Sequence, residues 1–329
     1  MTHRRTTLAI AAVVAVAIVV VAGLALAPRS KLSRLTRLFQ FDRRPANAAA
    51  LVPNFKHVFI IMMENKDYGN VLNSDAMPYL KQLSQQYAVA TNYYGTRHPS
   101  LPNYISLTGG DTFGIDKNCI DCTLDQANIA DQIEATGRTW KAYIENMPRP
   151  CFVGDDQPLY RQKHNPFIYY DNIRNNPARC KNIVPFTELA KDLSANTLPN
   201  YSWITPNMCN STHDCAMGEG DKWLQTWVSK ITASPAWRDD GVLFITYDEG
   251  DTSDKTGCCL HAEGGHIATI VVSPLVKPGY RSPFSYSHYS LLRTIETSWG
   301  MPLLNNANCD CSPTMADLFD DDARAAQQR

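Results

Sequence analysis

The sequence predicts an α/β fold: a mostly parallel central sheet covered by helices on both faces. Three observations carry this. Short apolar runs alternate along the chain with segments whose apolar residues recur at helical spacing, the pattern of strand–helix–strand units. The runs HVFIIMM (57–63) and GVLFITY (241–247) are continuously apolar, as strands buried on both faces are. The chain has 329 residues, 44% of them hydrophobic, which is enough to bury a large core.

Taken in order, residues 1–30 read as a signal anchor or signal peptide. Leu8–Ala27 carries no charge and, at about 1.5 Å per residue, is long enough to cross a bilayer. Ala25-Leu26-Ala27 resembles a cleavage site, but Pro28 follows it and the run is long for a cleaved signal, so an anchor is favoured. Arg29, Lys31, Arg34, Arg37, Arg43 and Arg44 argue by the positive-inside rule for a cytoplasmic domain. The ten cysteines, all beyond residue 118, argue for an oxidising compartment and outweigh the flanking charge. The domain is therefore expected outside the cytoplasm, membrane-anchored or secreted. Residues 31–52, basic then Ala-rich, form a linker, and 53–329 form the folded domain.

Within that domain, 57–63 is a buried strand. Residues 77–88 place Leu80, Leu83 and Tyr87 at helical spacing. A helix at 128–137 is closed by Gly137 and followed by a strand at 139–144. The Cys-, Pro- and Asn-rich stretch 145–185 is a long ordered excursion over the site. YSWIT (201–205) is a short strand, DKWLQTWVSKI (221–231) an amphipathic helix, 241–251 a strand running into acids, 266–274 a strand, and 288–299 a final helix. Local disulfides are expected at Cys119–Cys122 and Cys209–Cys215, while Cys258 and Cys259 have either each other or distant partners. A zinc ribbon would need a second CxxC, which the chain lacks.

In parallel sheets, chemistry collects at the carboxyl ends of strands. Glu64 and Asn65 follow one buried strand, and Asp248 and Glu249 follow another. Such acids suit a hard divalent cation, whose charge offsets their mutual repulsion. The plain alternative is solvated loop acids. The stretch HPSLPNY (98–104) sets Ser100 at or beside a helix N-terminus, where unpaired N–H groups favour a phosphate. A metal beside that hydroxyl would make it a nucleophile, with Asn103 donating to a phosphoryl oxygen. Here the plain alternative is a serine cap. His98, His164, His213 and His288 sit in polar contexts suited to holding phosphate or protonating a leaving group. Formal charge is near zero, with 31 Lys and Arg against 32 Asp and Glu, and the basic residues after position 50 are scattered, which excludes a nucleic-acid partner.

The segments IIMMEN, HPSLPNY, KHNPF, TPNMCNSTHD, GDKWLQTWV, FITYDEGD, IVVSPLVKPG and SHYSLLRTIE, in that order over residues 56–300, resemble the phosphoesterase family. That family holds bacterial acid phosphatases and phosphatidylcholine-type phospholipases C, within the alkaline phosphatase superfamily. The resemblance is strongest to the short secreted acid phosphatases. It implies an α/β/α sandwich and phosphoryl transfer through a covalent phosphoserine. Ser100 matches the nucleophile, and Glu64, Asn65, Asp248 and Glu249 match the metal shell, with Ser100 Oγ an inner ligand. His164, His213 and His288 match positions near the phosphate, and His98 and Asn103 are carried as substrate-binding. Asn207 stands near an Asp of the two-zinc members, and Glu249 where those have His, so one divalent ion is expected. The implied substrate is a small phosphate ester, or a phospholipid head group if the enzyme is a phospholipase C. Sulfatase chemistry needs an arginine after SLP, which is absent, and a non-catalytic binding protein would not need this full residue set.

Overall fold

The computed structural model describes residues 52–321 apart from 156, 260 and 261, so the 8–27 segment and most of the linker lie outside the described residues. The strands are β1 (His57–Met63), β2 (Ala88–Tyr94), β3 (Trp140–Ile144), β4 (Ile183–Pro185), β5 (Tyr201–Thr205), β6 (Gly241–Tyr247), β7 (His266–Val272) and β8 (Arg281–Ser287). They form one eight-stranded sheet in the order β4-β3-β5-β1-β6-β7-β2-β8. Every neighbouring pair is parallel except those made by β7, which runs against both β6 and β2.

The apolar runs behave as their composition requires. All of β6 is buried, and so is β1 beyond His57. The register of β1 and β6, from His57↔Gly241 to Met63↔Tyr247, has a direct consequence. The next residue on each strand, Glu64 and Asp248, emerges side by side at the same sheet edge.

The main helices are α1 (Pro78–Gln86), α2 (Ser100–Gly109), α3 (Ile129–Ala135), α4 (Thr187–Ala195), α5 (Met217–Ala233) and α6 (His288–Ser298). They cover both faces. Met63 faces α5, its Cε 3.3 Å from where a Cβ on Gly220 would lie. Trp203, level with Ile60, packs against Tyr104 of α2. Ile60 and Met63 are three residues apart and so point to opposite faces. This is the expected α/β/α sandwich. Asp221 on α5 ties one layer together: its carboxylate accepts from the N–H groups of Tyr79 and Leu80, both at 2.9 Å, capping α1 from outside.

Strands β2, β4 and β8 were not expected. Thr91 and Asn92 break the apolar run of β2, and β4 is three residues long. At the sheet edge, β8 is exposed or half-buried at four of its seven positions and contains Pro283. Among the described residues no helix is long and apolar enough to cross a membrane.

Candidate active site

The site is built where β1, β2, β6 and β8 end. Asn65, at φ 51°, adopts the left-handed conformation that asparagine tolerates. This turns its N–H onto Asp248 Oδ1 at 3.0 Å and its side-chain amide onto Glu249 Oε1 at 3.3 Å. Gly95, just after β2, lets the backbone close in: a Cβ there would lie 2.8 Å from the Asp248 carbonyl oxygen.

Ser100 is the first residue of α2, not its N-cap, and is 1% exposed. Its hydroxyl donates to Glu249 Oε1 at 3.1 Å and Glu64 Oε2 at 3.3 Å, and it accepts from Lys163 Nζ at 3.2 Å. The sequence-predicted convergence of Ser100 with both acidic pairs is therefore present. One first-turn amide is already occupied, since Leu101 N–H donates to Asn118 Oδ1 at 3.1 Å.

The histidines divide into distinct jobs. His98 stands with Nδ1 2.5 Å from Glu249 Oε2 and Nε2 2.8 Å from the Asp254 carbonyl oxygen. Both ring nitrogens lie close to acceptor oxygens. Its interaction with Glu249 accordingly raises the His98 pKa above the ordinary value. This corrects its expected contact with substrate: His98 is committed to holding Glu249. His288 is fully buried, donates from Nε2 to the Asp248 carbonyl at 2.6 Å and accepts from Tyr93 OH at 3.2 Å. Burial pushes its pKa down to about 4, so it is neutral. It too is corrected, from a residue at the phosphate to a brace beneath Asp248. Asn103 is the third correction. Its Oδ1 accepts from Thr96 and Arg97 N–H at 2.6 and 3.0 Å, and its Nδ2 donates to Arg97 O at 2.6 Å. The amide folds the loop before α2 and has no group left for a phosphoryl oxygen.

His164 is buried, stacks on Tyr104 at 5.2 Å between ring centroids, and sets Nε2 3.1 Å from Glu64 Oε1. Burial lowers its pKa, and the Glu64 carboxylate opposes that shift. Burial also opposes ionisation of Glu64, yet His164, Lys163 and the Tyr104 hydroxyl together hold that carboxyl at about 2. His213 lies nearer solvent, with Nδ1 2.7 Å from Asp214 Oδ1 and its ring 6.3 Å from that of His164.

The oxygen set fits a hard divalent cation. Asp248 Oδ2 and Asn65 Oδ1 are buried with no hydrogen-bond partner. Burial and the neighbouring Glu64 and Glu249 carboxylates push the Asp248 pKa well up, so its ionised form needs a cation beside it. The fit rests on these orphaned oxygens. As placed, no three His, Cys, Asp or Glu side chains among the described residues stand in ready metal-ligand geometry. Asn207 is not among the donors: its Oδ1 accepts from Cys209 and Asn210 N–H, both at 2.9 Å.

Sequence reasoning missed Lys163 and Tyr104. Both lie inside the motifs that pointed to the site, next to residues that were chosen. Tyr104 OH donates to Glu64, a bond that only the packing of α2 on β1 reveals.

Comparison with known proteins identifies the family. The family model described as "Phosphoesterase family" matches residues 70–302. An acid phosphatase of Aspergillus fumigatus is 32% identical over 78% of this chain and 57% of its own length. A phosphatidylinositol-3-phosphatase of Mycobacterium tuberculosis is 28% identical over 83% of this chain and 86% of its own. A hemolytic phospholipase C of Pseudomonas aeruginosa is more distant, at 24% over 54% of this chain and 30% of its own. Among solved structures, a protein in the alkaline phosphatase superfamily from Vibrio parahaemolyticus superposes with a TM-score of 0.58. It is 14% identical over 84% of this chain and 73% of its own. That likeness speaks to the fold alone.

Proposed function

The chain belongs to the phosphoesterase family, and from that premise we propose that it is a metal-dependent phosphomonoesterase of the acid phosphatase kind, acting through a phosphoserine at Ser100. The carrying observation is the buried Ser100 hydroxyl, set at a helix start between Glu64, Glu249 and Lys163. A divalent cation held by Glu64, Asn65, Asp248 and Glu249, with Ser100 Oγ beside it, would lower the hydroxyl's pKa and offset charge on the phosphoryl oxygens. The serine oxygen attacks phosphorus in line, and its proton leaves through its carboxylate partners to solvent. The bond from phosphorus to the leaving oxygen breaks as His213, oriented by Asp214, protonates that oxygen. Water then hydrolyses the phosphoserine, releasing inorganic phosphate and restoring the hydroxyl. His98, His164 and His288 hold the carboxylates and the backbone around them.

Ser100→Ala should lower kcat for p-nitrophenyl phosphate by at least about a thousandfold. Mass spectrometry of acid-quenched wild type should find phosphate on the peptide holding Ser100. Near-normal turnover by the variant would end this reading. The second reading, a phospholipase C, rests on the more distant relative and differs in the bond broken; parallel assay of a choline phosphodiester separates the two. Placement outside the cytoplasm is supported by the pairing of all ten cysteines. The expected Cys119–Cys122 and Cys209–Cys215 bridges and a Cys258–Cys259 bridge are joined by Cys151–Cys180 and Cys309–Cys311. An anchor at residues 8–27 remains part of the same proposal.

A further inference from the structure

Lys163 is the one site contact whose chemistry the mechanism above does not use. Among the described residues its ammonium has one hydrogen-bond partner, Ser100 Oγ at 3.2 Å, and no carboxylate at ion-pair distance. An ordinary lysine beside carboxylates pairs with one of them or reaches into water. This one is held away from the carboxylates by its neighbours. Gln162 is fully buried and fastened three ways: its N–H donates to Asp155 Oδ1 at 2.5 Å, its Oε1 accepts from Gly154 N–H at 2.7 Å, and its Nε2 donates to Ile120 O at 2.7 Å. On the other side, His164 is buried against Glu64, and its carbonyl accepts from Thr205 Oγ1 at 2.9 Å. The three-residue turn Gln162–His164 is thus pinned at both ends, and the half-buried lysine between them is aimed at the nucleophile.

A lysine ammonium has three donors, and one is engaged here. The other two are available to an anion arriving at Ser100. That anion carries up to two negative charges to a site that already holds Glu64, Asp248 and Glu249. His98 offsets Glu249 from behind, and no other side-chain cation touches the Ser100 oxygen. We infer that Lys163 is a catalytic residue, donating to a non-bridging phosphoryl oxygen while Ser100 attacks and while the phosphoserine persists. The bonds made and broken are those given above. This inference rests on the phosphoesterase reading of the same site.

The test uses the full chain with Lys163→Ala, Lys163→Met and Lys163→Arg. With p-nitrophenyl phosphate, Lys163→Ala and Lys163→Met should each lose about a hundredfold or more in kcat, as when one preorganised donor is removed from a transition state. Lys163→Met keeps the apolar stem and so controls for packing. Lys163→Arg should recover part of the rate, and added ethylammonium should raise the rate of Lys163→Ala but not of wild type. A merely structural lysine would show neither rescue. Calorimetric titration with inorganic phosphate, which needs no turnover, should show about tenfold weaker binding to Lys163→Ala, the size of one lost charged contact. An active wild type with kcat and phosphate affinity within threefold in both truncations overturns the inference while leaving the phosphatase reading intact. A wild type that hydrolyses no phosphate ester overturns the phosphatase reading, and the titration then decides whether Lys163 binds phosphate at all.

Discussion

At the scale of single residues, the histidines show what a list of residue types cannot. Each of the four looks alike in sequence, and the hydrogen-bond partners decide their roles. A ring set between a carboxylate and a carbonyl has its pKa raised (His98), and one that donates to a carbonyl and accepts from a tyrosine is neutral (His288). Those partners come from positions 40 to 195 residues away, so no local motif could report them. Asn103 differs: its partners Thr96 and Arg97 are local, but the residue type does not say that its amide folds its own loop.

A second buried ionisable group lies away from the site. Glu296 on α6 is fully buried and accepts from Leu304 N–H at 2.9 Å, while Arg293 one turn earlier donates to the carbonyls of Cys309 and Ser312. Burial raises its carboxyl from 4.5 to about 8. Its folded pKa lies above its unfolded one, so between these values the folded chain binds the extra proton. Stability is then full below about 4.5 and falls as pH rises towards 8. At about 1.4 kcal/mol per pKa unit, the loss is on the order of a few kcal/mol. Glu296→Gln, which keeps the acceptor, should flatten the denaturation midpoint between pH 5 and pH 8, where wild type declines. A wild-type midpoint that does not fall across that window would refute the assignment.

At the scale of elements, legibility followed burial. Strands β1, β5, β6 and β7 were readable because a strand covered on both faces must be apolar throughout. The edge strand β8 and the broken run of β2 escaped because their residues satisfy solvent or side-chain partners as well as the sheet; Asn92, for example, donates to Pro283 O at 2.7 Å. The site's acids were readable through the strands that end in them, but Lys163 sits in a three-residue turn with no periodic signal. Helix α1 shows the same dependence on distant chain. Its N-cap residue, Met77, makes no side-chain cap bond, and Asp221 on α5 does this work from 142 residues away. Asp221→Ala should therefore lower stability by about 1–2 kcal/mol, the range of a lost helix cap, and leave kcat near wild type. Chemical denaturation with a parallel activity assay checks both.

For the whole molecule, three carboxylates converge from two strand ends, and a compensating charge would offset their mutual repulsion. Orphaned oxygens on Asp248 and Asn65 suit the same charge. A bound divalent ion should therefore stabilise the native state by mass action as well as serve catalysis. Dialysis against a strong chelator should abolish hydrolysis of p-nitrophenyl phosphate and shift thermal unfolding down by several degrees, about 1 kcal/mol or more for a domain of this size. Adding back a divalent ion should restore both. Undiminished activity and an unchanged midpoint after chelation would remove the metal from the mechanism.

The reversed direction of β7 has an architectural consequence. A parallel neighbour must be reached by a crossover that travels the length of the sheet. The link from β6 to β7 need not cross at all, so residues 248–265 begin and finish at the same rim. That stretch includes Asp254, whose carbonyl steadies His98, and the Cys258–Cys259 pair. It is a connection fixed at both ends to one edge of the sheet, and it starts with the two site acids Asp248 and Glu249, so the direction of one strand sets where those acids and the support of His98 lie.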